Sequence, residues 1–124
     1  TPVNKRLAIS SLFENIPTHL AINDVVTVSA NGSIANGGII AVDADSISSN
    51  LALSLPDSSD IGEIKIVVIA TEPAGSYDVV VTPSTFNNGT TITFTDKGDA
   101  MICVWLGSAL GGWNVLSNIG GTIA

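Results

Sequence analysis

The chain has 124 residues and a net charge of -7, with four Lys and Arg against eleven Asp and Glu and charged residues at only 12%. Phosphate binding needs clustered Lys and Arg, so nucleic acid is excluded as a partner. No apolar run reaches the roughly 18–20 residues of a membrane-spanning helix, so no membrane partner is expected, and a single cysteine excludes an intrachain disulfide.

The length fits one domain with one core. A monomer is normally kept in solution by many mixed charges, so a chain this poor in them is expected to have part of its surface covered by copies of itself or by a partner.

Residues 1–21 form a separate compositional region. Leu7, Ile9, Leu12, Phe13 and Ile16 are irregularly spaced and Pro17 bars a continuing helix, which predicts an extended N-terminal arm with one helical turn near 11–15. Lys5 and Arg6 lie ahead of an acidic body, an asymmetry suited to orienting the arm against an acidic surface.

From residue 22 to 124 Val, Ile and Thr dominate, and turn residues recur about every 8–12 positions, the spacing of a sandwich or small barrel. Strands are predicted over 25–30, 38–42, 51–55, 63–71, 77–82, 90–95, 100–107 and 112–117. Asn31-Gly32, Asn36-Gly37-Gly38 and Asn87-Asn88-Gly89 read as turns. The expected fold is all-β: an antiparallel β-sandwich or jelly-roll-like barrel of about eight short strands, one domain over 22–124, preceded by the arm.

Alternation separates two kinds of strand. Thr91-Ile92-Thr93-Phe94-Thr95 places apolar groups on one face and threonines on the other, so it is half exposed. The runs 64–69 and 101–106 are apolar on both faces apart from Lys65 and Cys103, so they need cover on two sides. The opposing sheet supplies one cover; the arm or a neighbouring subunit is expected to supply the second. If 107–111 is a hairpin loop centred on Ala109, Trp105 and Trp113 stand opposite each other on one face.

Catalytic and metal chemistry is thinly supplied. His19 is the only histidine and lies in the arm, which excludes two-histidine metal sites, and no nucleophile elbow is present. Cys103 sits in an apolar run and reads as a buried hydrophobe. Asp43-Ala44-Asp45 fails the EF-hand pattern, because Ile47, Ser48 and Ser54 occupy ligand or glycine places. The loop with Asp57, Asp60 and Glu63 also lacks the template, and turn formation explains it more simply. No cofactor, metal or enzymatic activity is expected.

Four segments carry a resemblance when taken in order: Gly62-Glu63-Ile64-Lys65-Ile66-Val67-Val68, Gly89-Thr90-Thr91-Ile92-Thr93-Phe94, Gly98-Asp99-Ala100-Met101-Ile102-Cys103-Val104-Trp105 and Gly112-Trp113-Asn114-Val115-Leu116-Ser117-Asn118. They resemble the β-module at the end of many tailed-bacteriophage structural proteins, especially capsid decoration (cement) and fibre proteins. The resemblance implies a noncatalytic virion protein, made in the host cytoplasm, that binds the major capsid protein on the outside of the mature head as a homotrimer and stabilises it. Lys5, Arg6, Leu7, Leu12, Phe13 and Ile16 of the arm, with Ile66 and Val104 on the double-faced strands, are the candidate capsid or intersubunit contacts. The alternative is a tail- or fibre-associated module recognising a host glycan, with Trp105 or Trp113 exposed at a tip. Decoration is preferred because the sequence is expected to be short and complete, with no shaft repeat ahead of the module.

Overall fold

A computed structural model of the chain describes residues 25–124. The expectations placed on the arm, including Lys5, Arg6, Leu7, Leu12, Phe13, Ile16 and His19, lie outside the described residues.

Among the described residues ten strands form: β1 (Val25–Val28), β2 (Gly32–Ser33), β3 (Ile39–Val42), β4 (Leu51–Leu55), β5 (Ile64–Ile69), β6 (Val79–Pro83), β7 (Ile92–Phe94), β8 (Ala100–Trp105), β9 (Trp113–Ile119) and β10 (Thr122–Ile123), with a 3-10 turn at Ser108–Leu110. They build two five-stranded sheets, ordered β1-β3-β5-β8-β9 and β10-β7-β6-β4-β2. The all-β sandwich is as expected, and each of the eight predicted strands is present with slightly different ends. The sheets do not close into a barrel. The two unpredicted strands, β2 and β10, are two residues each, too short for an alternation to register.

Strand direction departs from the expectation. β1, β3 and β5 pair in parallel in the first sheet, and β2, β4 and β6 pair in parallel in the second. Because consecutive strands alternate between sheets, residues 25–83 wind through three coils of a flattened β-helix. Only afterwards does the chain turn antiparallel, with β6 against β7, β7 against β10, β5 against β8, and β8 against β9. Hairpins and sheet-to-sheet crossings use the same Gly, Asn, Asp and Ser residues, so the turn signals fixed where strands stop and left their direction open. Asn31-Gly32 illustrates the point. Instead of closing a hairpin, it starts β2, with the Asn31 side-chain oxygen accepting the Ala52 N–H at 2.8 Å.

Period-two burial fills the space between the sheets. Leu51, Leu53 and Leu55 of β4 point inward while Ala52 and Ser54 face out. Val79 and Val81, Ile92 and Phe94, Ile40 and Val42, Val67 and Ile69 complete the core with Met101 and Cys103. Burying each large aliphatic side chain contributes about 1.5–3 kcal/mol.

One charged residue joins this inward set. Lys65 alternates with the outward Ile64 and Ile66 and is only 1% exposed. Its ammonium donates to the carbonyls of Ala35 at 3.1 Å and Gly37 at 2.5 Å, and stands 3.9 Å from a Glu63 carboxylate oxygen. Those carbonyls belong to the crossing between β2 and β3, so the lysine pins the second coil to the third. Charge-assisted bonds of this kind contribute about 1.5–3 kcal/mol, and removing the donor leaves the carbonyls poorly satisfied. Replacing Lys65 with Met, which keeps the stem, is expected to lower stability by about that amount. Urea unfolding of both proteins checks it, and equal midpoints would remove the pin.

Candidate assembly surface

The two sheets differ on their outward faces. On the second, Ala52, Ser54, Val80, Thr82, Thr93 and Thr122 point away from the core, a mainly hydroxyl-bearing coat. On the first, the outward positions are almost all aliphatic. The register arranges them in rows across the strands. One row runs Val25, Ile39, Ile66, Ile102 and Ser117; the next runs Thr27, Ala41, Val68, Ala100 and Ile119; beyond the first lie Ile64, Val104 and Asn114. Among the described residues no Asp, Glu, Lys or Arg stands in these rows.

The central members, Ile39, Ile66, Ile102 and Val104, are half-buried, while Val25 and Ile119 at the rim are 55% and 60% exposed. The structure therefore puts Ile66 and Val104 on one face, as neighbours of Ile64 and Ile102. Among the described residues the sandwich covers these strands on one side only, which makes this contiguous apolar face the candidate interaction site.

The face ends at β9 in a defined way. Register shifts by one residue between Ile102 and Cys103, leaving Leu116 as an extra, exposed residue. This bulge bends the edge strand, and the Asn88 side chain accepts the Val115 N–H at 2.8 Å. Both features protect the β9 edge from pairing with another strand. The face is thus better suited to docking than that edge.

Trp105 and Trp113 pair directly opposite, as expected from the loop centred on Ala109, with ring centroids 5.5 Å apart and planes tilted by 60°. They are 4% and 1% exposed, and the Trp113 indole N–H donates to the Pro56 carbonyl at 3.0 Å. The expectation of an exposed indole at a tip, carried by the glycan alternative, is corrected: both indoles face inward. The hairpin that places them depends on Gly112, whose φ is 81° and where a Cβ would lie 2.5 Å from the Thr85 carbonyl oxygen.

A cavity of about 240 Å³ at the sandwich end is lined by Pro56, Asp57, Ser58, Glu63, Lys65 and Trp113. Its Ser58, Glu63 and Asp57 side chains are hydrogen-bonded. The Ser58 hydroxyl donates to the Glu63 carboxylate, and Asp57 accepts the Thr85 hydroxyl at 3.0 Å. Glu63 thus serves the loop and Lys65, Asp57 reaches Thr85 outside the loop, and among the described residues no group of three or more His, Cys, Asp or Glu is placed to hold a metal ion.

Cys103 lies on the inward face of β8, 1% exposed, its thiol donating to the Lys65 carbonyl at 3.6 Å. Burial pushes the thiol from 9.0 up to about 12, against a smaller opposite pull from the Lys65 charge.

Compared with protein-family models and with curated sequences, the chain matches none.

The cysteine supplies a test of the packing. Because the native thiol holds its proton to higher pH than the unfolded one, its contribution to stability is fully present below pH 9.0 and is lost as pH rises towards about 12. Native protein at pH 8 is expected to resist thiol-specific alkylation that goes to completion in denaturant. Fast labelling of the native protein would contradict the closed core.

Proposed function

We propose that this protein is a noncatalytic structural component of a tailed-phage particle, a capsid decoration protein that binds the outside of the mature head and stabilises it. The observation that carries this reading is the pair of unlike outward faces: a Ser/Thr coat on one sheet and an uncharged Ile/Val/Ala surface on the other. A hydroxyl-coated face suits contact with water, and an apolar one suits contact with protein. The resemblance of the four segments at 62–68, 89–94, 98–105 and 112–118 to phage β-modules supplies the biological setting.

Stabilisation follows from linkage. A ligand that binds only the expanded shell lowers the free energy of that state by mass action, and many copies add their effects. In this reading the segment with Lys5, Arg6, Leu7, Leu12, Phe13 and Ile16 reaches the major capsid protein, and the face with Ile66 and Val104 handles contacts between neighbouring protein surfaces. The glycan-binding alternative loses the exposed indoles it relied on.

The test is co-sedimentation with expanded phage heads stripped of their decoration protein. The full chain is expected to bind and to raise the temperature at which the heads open, and removal of residues 1–16 is expected to weaken binding by roughly tenfold or more while the β-domain keeps its circular dichroism. Undiminished binding would remove the arm from the account, and a full chain that ignores such heads would overturn the capsid reading.

A further inference from the structure

We propose that the outward face of the first sheet is the contact between two copies of this chain, packed face to face about a two-fold axis that runs across the strands. The proposal names the occupant of the surface described above and so rests on reading that face as an assembly surface; it does not require a capsid.

The relief of the face carries the argument. Ile39, Ile66 and Ile102 stand side by side on β3, β5 and β8, and two residues along each strand stand Ala41, Val68 and Ala100. A ridge of three isoleucines thus runs beside a furrow of two alanines and a valine, roughly 6.8 Å away by the rise of a strand. A two-fold axis midway between the rows lays β3 over β3, β5 over β5 and β8 over β8 with directions reversed. Each ridge then enters the other copy's furrow: Ile39 over Ala41, Ile66 over Val68, Ile102 over Ala100. An isologous contact requires this reciprocity, in which one residue meets a second and the second meets the first in return. A capsid surface or the chain's own N-terminal residues would need a matching relief supplied from elsewhere, whereas this face carries its own complement.

Charge and size agree with the assignment. Each copy carries a net -7, and the ridge and furrow hold no ionised group, so two copies can meet there without bringing carboxylates together. Sheets packed face to face lie about 10 Å apart with strand directions within about 30°, the arrangement already present inside the sandwich. Five strands of this length span an area on the order of 400 Å², about half of the 800 Å² per partner of a standard stable interface. The pair is therefore a weak one, formed with rising concentration, and it replaces the three-fold arrangement implied by the resemblance.

Light scattering of the full chain between about 1 µM and 1 mM tests it. The mass is expected to climb from 12.6 kDa towards twice that value. Ala41→Ile fills the furrow and should raise the midpoint concentration roughly tenfold, whereas Ala41→Ile with Ile39→Ala exchanges ridge and furrow on β3 and should restore it to within about threefold. Circular dichroism reports whether each variant folds, and should Ala41→Ile not fold, Ala100→Ile with and without Ile102→Ala makes the same comparison on β8. A monomer at every concentration, a trimer, or equal loss in single and double variants overturns the proposal. A monomer that still binds phage heads would overturn the pairing and spare the capsid reading, and a pair that ignores heads would do the reverse.

Discussion

A β-sandwich covers one face of each of its sheets, and everything particular about this protein follows from what lies on the other face. In the second sheet the problem is solved within the chain, by serine and threonine. In the first, β5 alternates Lys65, Val67 and Ile69 inward with Ile64, Ile66 and Val68 outward, so both faces are apolar. Hydration of such a surface is unfavourable by about 25 cal/mol for each Å² left exposed. That free energy is the driving force for the proposed association.

The winding explains how one sheet comes to be so uniform. Successive strands of the β-helical part enter the two sheets in turn, so the first sheet receives β1, β3 and β5 and the second β2, β4 and β6. Each sheet can then have its own outward chemistry. Parallel neighbours in register also align like residues, which is how Ile39 comes to stand beside Ile66. The antiparallel hairpin β8–β9 continues the stack, and its Trp105–Trp113 pair and the indole bond to Pro56 fasten its closed end to the core. Lys65 fastens the crossing of an earlier coil. The buried ammonium, held among the carbonyls of Ala35 and Gly37, ties residues 35–37 to one position.

Much of this was legible in the residues. The alternation in Thr91-Ile92-Thr93-Phe94-Thr95 gave the half-exposed β7, the doubled apolar runs gave the central strands of the first sheet, and symmetry about Ala109 placed the two indoles opposite each other. Strand direction was not legible, because a crossing of 10 Å between sheets and a hairpin are built from the same turn residues. Nor was the relief of the assembly face. Ile39 and Ala41 are visible as neighbours in sequence, but their alignment with Ile66, Val68, Ile102 and Ala100 depends on register, which is set by pairings among distant segments. The inward direction of Lys65 was equally hidden, since alternation places Lys65 on one face of the strand without saying which face meets the opposing sheet.

Side-chain footprinting with a photoactivated carbene, read residue by residue at low and at high protein concentration, tests most directly whether the apolar face is the one that becomes covered. The account predicts that labelling of Ile39, Ile66, Ile102 and Val104 falls as concentration rises while Thr82, Thr93 and Thr122 stay unchanged. Labelling that is insensitive to concentration on both faces, or that falls on the threonine face instead, would contradict it.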